Sequence, residues 1–206
     1  MKWLDHLEEW LIATFMAAAT LIIFASVVHR YIIGFHVPIV QDWLLSINMS
    51  WTQEACIYLF VWMAKFGAAY GVRTGIHVGV DVLINRLPDQ KRKYFVMFSL
   101  LAGALFTGVV GTLGATFVWD NGLHHAAYQA LGLNMEGLIE GPTTPDLEWP
   151  TWIIYMAIPL GSSLMSFRFL QVAWTFQHTG ELPHHDHGHV DGLDEVTPAP
   201  VQGATP

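Results

Sequence analysis

Charged side chains are scarce in this sequence. Asp, Glu, Lys and Arg make up 13% of its 206 residues, about half the share usual in a soluble globular protein. With 53% of residues hydrophobic, the chain cannot clothe a sphere in polar groups, and lipid is the solvent that suits most of it. Basic residues are the scarcer sign: nine Lys and Arg stand against 17 Asp and Glu, a formal net charge of −8. That balance excludes nucleic acid as a partner, because a phosphate backbone demands a basic surface. Cysteine is nearly missing. Cys56 alone cannot close an intrachain disulfide or build a Cys-rich metal site, and within an apolar run it reads as a small buried hydrophobe. Also missing are a phosphate-cradling glycine loop, a nucleophile–base arrangement and a zinc-protease motif. No array of inward carboxylates or pair of broken helices offers the kind of site that secondary carriers use. The chain therefore reads as a supporting subunit of a larger transport complex, not an enzyme, with no cofactor or metal of its own.

Long apolar runs are what the sequence does have. Four stretches of roughly the 20 residues needed to cross a bilayer lie at about 10–33, 51–72, 94–119 and 149–171. They are too long and too evenly apolar for soluble amphipathic helices, and the nine Trp and 12 Phe suit membrane interfaces. The expected fold is all-α and integral to the membrane, with four transmembrane helices. Residues ahead of the first run are acidic on balance (Lys2 against Asp5, Glu8 and Glu9), and no clear small-x-small site follows it. It reads as a retained span, not a signal peptide.

Orientation follows from Lys and Arg. Arg73, Arg86, Lys91, Arg92 and Lys93, five of the nine, fall between the second and third runs, and none falls in 34–50 or 120–148. Basic loops stay in the cytoplasm, which puts the 73–93 loop and both termini inside. Two short amphipathic stretches are expected to lie flat on that inner surface. One is Val80, Leu83, Ile84 and Leu87 opposite Asp81, Asn85 and Arg86; the other is Trp3, Leu7, Trp10 and Leu11 opposite Asp5, Glu8 and Glu9. The bland alternative is a simple continuation of the neighbouring span. From about 177 the chain is rich in Pro, Gly, His and Asp and is expected to be a disordered cytoplasmic tail, separate from a 1–176 membrane domain.

Ionisable residues inside a membrane are expensive and so are the first candidates for a role. Lys65 lies about 10 Å from the inner end of its helix at 1.5 Å per residue, where its stem could snorkel to the headgroups or meet a carboxylate on another chain. Glu54, about 16 Å further along the same helix, is too distant to pair with it. Arg30 and Glu54 fall near the outer interface and are expected to pair between the first two spans. Gly67-x-x-x-Gly71 with Ala64-x-x-x-Ala68, and Gly108, Gly111 and Ala115, give spans two and three faces on which another backbone can approach; the bland reading is packing within the chain. Pro159 should bend span four. Histidines raise the alternative of a haem-bearing anchor of a redox enzyme. Only His29 with His124 or His125 could meet at one depth, however, and only near the surface. The tail cluster His184, His185, Asp186, His187 and His189 could hold Zn²⁺ or Ni²⁺ loosely, though a solvated tail is the simpler reading.

Three stretches carry a family resemblance. The first is His29-Arg30-Tyr31 closing span one, with Trp51-Thr52-Gln53-Glu54 opening span two. The second is Phe66-Gly67-Ala68-Ala69 running into Val72-Arg73-Thr74-Gly75-Ile76-His77-Val78-Gly79-Val80-Asp81 and Leu87-Pro88. The third is Pro145-x-Leu147 with Pro150, Trp152, Tyr155 and Pro159-Leu160-Gly161. Through them the chain resembles the small (DctQ-type) membrane subunit of TRAP transporters, the tripartite ATP-independent periplasmic carriers, over nearly its whole length outside the tail. The resemblance implies a four-helix subunit of the bacterial inner membrane, paired with a large polytopic permease subunit that holds the substrate and ion sites. A periplasmic solute-binding protein delivers the solute, with C4-dicarboxylates the usual expectation. It implies that Arg30 and Glu54 orient the outer ends of spans one and two, and that Arg73, His77 and Asp81 organise the inner loop. Residues 37–50 and 120–141 look longer than the connections usual in the family and are expected to help dock the binding protein.

Overall fold

The computed structural model describes residues 2–34, 38–74, 88–133 and 140–180. Four of its helices are long and apolar enough to cross a membrane. Helix α1 covers Lys2–Ile33, and α2, Pro38–Leu45, starts at a proline, which costs nothing at a first helical position. Helix α3 covers Trp51–Thr74 and α4 covers Asp89–Val118. A π-helical turn, Trp119–Leu123, leads into the short α5, His124–Ala130. Helices α6, Thr151–Tyr155, and α7, Ala157–Thr179, form the last span. Gly180 ends α7 in the left-handed conformation (φ 75°), its N–H closing on the Phe176 carbonyl at 2.8 Å, the usual glycine stop.

The four spans stand in an open row. Helix α1 packs on α3, α3 on α7 and α7 on α4, while among the described residues α1 has no packing contact with α4. Lipid tails are as apolar as leucine, so burial does not drive such helices together; close approach and hydrogen bonds do. The α4–α7 seam shows how. A Cβ on Gly103 would lie 2.9 Å from the Phe169 ring, one on Gly111 3.0 Å from the Ser163 hydroxyl, and one on Gly114 2.8 Å from Ile158. Only glycine admits backbones this near. Val96, Leu100 and Ala104 of α4 join Phe169, Val172, Ala173 and Phe176 of α7, with Val72 of α3 completing the cluster. Ser166 donates its hydroxyl hydrogen to the Ala104 carbonyl at 2.8 Å.

Two expectations change here. The amino-terminal stripe is not a separate helix lying flat: α1 runs unbroken through it, and Leu7 and Trp10 point outward (52% and 74% exposed) while Glu8 is buried. No glycine or proline interrupts residues 2–33, and a buried partner described below turns Glu8 inward. The connections at 37–50 and 120–141 are in part helical. Helix α4 ends at Val118, and beyond it the chain kinks at Asn121 and Gly122, whose angles are not helical; Gly122 takes φ 114° and sits so close to Gly141 that a Cβ would lie 2.8 Å from its Cα. The surface helix expected at 80–87, residues 134–139 and the tail from 181 lie outside the described residues.

The last span is interrupted at Met156, between α6 and α7. The cause sits three residues on. Pro159 has no N–H to give the carbonyl of Tyr155, four residues back.

Candidate functional site

Glu54 and Arg30 do not pair. Thr52 donates to the Ser26 hydroxyl at 3.1 Å, and the Cys56 thiol lies 3.5 Å from the Ala19 carbonyl, so both residues face α1. Residues two apart on a helix point to opposite sides, which turns Glu54 away from α1. Arg30 stays exposed on its own helix. Glu54 is instead buried at 8% exposure beneath the turn that precedes α6. Its Oε1 accepts the Tyr58 hydroxyl hydrogen, and its Oε2 accepts the backbone N–H of Asp146 at 2.7 Å and of Leu147 at 2.9 Å.

The turn that offers those two N–H groups is itself closed. Thr144 and Trp149 exchange bonds, the Thr144 N–H to the Trp149 carbonyl at 2.8 Å and the Trp149 N–H to the Thr144 hydroxyl at 3.0 Å. Both the N–H and the hydroxyl of Thr151 reach the Pro142 carbonyl, at 3.0 and 2.9 Å. A carboxylate bound by two successive amides is a strong, directional clamp. It fixes the Trp51 end of α3 to the turn ahead of α6, across 92 residues of sequence. Two of the stretches that carry the resemblance, Trp51–Glu54 and Pro145-x-Leu147, are thus one contact.

The other end holds a feature that the sequence reading missed. Arg168 and Glu8 are buried at 0% and 1% exposure. The Arg168 Nε–H and Nη2–H both donate to Glu8 Oε1, at 2.9 and 2.7 Å, and Nη1–H donates to Gln171 Oε1 at 2.8 Å. Among the described residues Glu8 Oε2 meets no hydrogen-bond partner. The pair reaches from α1 to α7, which have no backbone proximity. Its signal in the sequence was the single charge of the last span and an acid one turn ahead of the first. Nearby, Arg73 lies 3.8 Å from Glu9 and 5.8 Å from the Tyr70 ring centre, tying the Thr74 end of α3 to α1.

The remaining candidates separate. The Lys65 stem lies across Gly161 of α7, where a Cβ would come within 2.6 Å of Lys65 Cβ, so it fills the α3–α7 seam. Gly67 and Gly71 face the other way: a Cβ on either would meet nothing within 4 Å. Gly111, by contrast, is used inside the chain, against Ser163. His77 and Asp81 lie outside the described residues. His29 donates from Nε2 to the Leu44 carbonyl at 3.0 Å, securing α2, and His124 bonds through Nδ1 to the Trp119 carbonyl; the two are not brought together. Among the described residues no cluster of His, Cys, Asp or Glu could hold a metal.

The described residues form a mostly helical chain with four spans long and apolar enough to cross a membrane, tied near both ends by buried carboxylates. Residues 19–178 match the family of tripartite ATP-independent periplasmic transporters, DctQ component. The C4-dicarboxylate TRAP transporter small permease protein DctQ of Rhodobacter capsulatus is 53% identical over 94% of this chain and 86% of its own length. Its namesake in Vibrio cholerae is 34% identical over 90% of this chain and 77% of its own. The sialic acid TRAP transporter permease protein SiaT of Haemophilus influenzae is 28% identical over 88% of this chain, a match that takes up 24% of the longer relative. No solved structure matches. The chain belongs to the DctQ family of TRAP transporter components.

Proposed function

We propose that this chain is the small permease subunit of a C4-dicarboxylate TRAP transporter in the bacterial inner membrane, with both termini in the cytoplasm. It braces a large permease subunit that moves the solute on an ion gradient, and it helps a periplasmic binding protein dock. The solute class rests on the names of the most similar relatives. The orientation rests on the absence of Lys and Arg from 34–50 and 120–148. On that orientation the Glu54 clamp and α5 lie on the periplasmic side, where the binding protein arrives.

The observation that carries the bracing role is the open face of α3. Helices in lipid associate where small residues let backbones meet, and Gly67 and Gly71 offer such a place with none of the described residues in it. Ala64, a turn before Gly67, and Ala68, between the two glycines in sequence, are both exposed and enlarge that face. We expect the large permease to lay a helix there.

The test is co-purification of the tagged chain with its permease from native membranes, comparing Gly67→Leu with Gly161→Leu. Gly67→Leu should cut recovery of the large subunit at least ten-fold while leaving the isolated chain's thermal midpoint unmoved. Gly161→Leu should lower the midpoint, because the added atoms collide with Lys65. Undiminished recovery with Gly67→Leu, or recovery of no large membrane subunit with the native chain, would overturn the reading.

A further inference from the structure

One apolar slot is left over by the contacts described so far. It runs along the outer edge of the α4–α7 seam, lined by Leu101, Leu105, Gly108 and Thr112 on one side and Ser166 and Leu170 on the other, with a volume of about 470 Å³. From Leu101 to Thr112 it is about 16 Å long at 1.5 Å per residue. A shallow apolar furrow of this length suits an extended hydrocarbon chain lying along it.

The mouth of the slot says what carries that chain. Helices α4 and α7 run antiparallel, with Gly103 against Phe169 and Gly111 against Ser163. That register sets Phe98 level with Trp174, and Tyr94 level with His178. Tyr94, Phe98 and Trp174 are 80%, 71% and 70% exposed, an aromatic collar of the kind found at the headgroup level. Helical spacing places Tyr94 and Phe98 on the slot's side of α4, at seven residues before Leu101 and Leu105, and Lys91 one turn below Tyr94. Lys91 and Lys93 are exposed and make no ion pair among the described residues. In a chain of net charge −8, the run Lys91-Arg92-Lys93 is a local excess of positive charge that attracts anionic lipid.

We infer that this seam is a binding site for one anionic phospholipid of the leaflet at the amino-terminal end of α4. Its phosphate lies at Lys91, its glycerol ester level with Tyr94 and Trp174, and one acyl chain in the slot. From Tyr94 to Gly108 is about 21 Å along the helix, the span such a chain covers. The site depends on the chain's place in a membrane but not on the solute or the permease.

The full-length chain, carried into nanodiscs of mixed phosphatidylglycerol and phosphatidylethanolamine and released into a native mass spectrometer, should retain phosphatidylglycerol in preference. Lys91→Gln should reduce that preference about five-fold, the effect of one basic residue near a charged surface. Leu105→Trp, at a position 72% exposed on the slot's rim, should expel both lipids without lowering the thermal midpoint. Equal retention of the two lipids by the native chain, or retention unchanged in both variants, would overturn the proposal. So would a photo-crosslinker at position 105 that, in native membranes, labels the large permease in place of lipid.

Discussion

Glu54 and Glu8 are both carboxylates buried near the ends of membrane spans, and the chain treats them differently. Glu54 is met by the Tyr58 hydroxyl of its own helix and by two backbone amides of the turn, so both its oxygens are engaged by uncharged donors. Glu8 is met by a guanidinium that puts two bonds on one oxygen and, among the described residues, leaves the other bare. The first is a clamp whose two backbone partners survive any substitution at Asp146 or Leu147 except proline. The second is an ion pair, which depends wholly on one residue. Buried pairs of that kind add little net stability, yet breaking them is costly, since desolvation of the remaining charge is no longer offset.

The largest effect should come from removing one half of the pair. Arg168→Met is expected to destabilise the isolated chain by about 3–5 kcal/mol, read as a fall in the unfolding midpoint in detergent. Combining it with Glu8→Leu should restore most of the loss, because two apolar side chains satisfy each other where one stranded charge cannot. A double variant no more stable than Arg168→Met would mean that the pair does more than neutralise itself. Next in size is Glu54→Gln, which sets an amide where an anion met amide hydrogens. About 1.5–3 kcal/mol is expected, the range for a hydrogen bond to a charged group, with faster hydrogen exchange at the Asp146 and Leu147 amides. Exchange unchanged at those two positions would remove the clamp from the account. The smallest is Tyr58→Phe, at about 1 kcal/mol, because Glu54 keeps both backbone donors.

The spans were legible because their length and apolar character are properties of the chain alone. The interruption at Met156 was legible for the same reason: a proline removes a bond four residues back whatever surrounds it. Partners were not. Arg30 is the obvious mate for Glu54 on charge and depth, but rotation about α3 decides, and that rotation is set by Thr52 and Cys56 settling on α1. The amphipathic start of α1 was read with its acids toward water, since nothing local reveals an arginine 160 residues away. The two glycine faces looked alike in sequence. Only the order of the row tells that Gly111 is spent inside the chain and Gly67 is not.

Four helices in single file make a plank, not a barrel. At about 10 Å per helix it measures roughly 40 Å by 10 Å in the plane of the bilayer, and no side chain on it is more than one helix away from whatever lies alongside. Such a shape encloses no lumen, but it resists turning and tipping far better than a square cluster of the same mass. On the docking proposed above, through the Gly67 and Gly71 face of α3, the plank meets its partner broadside.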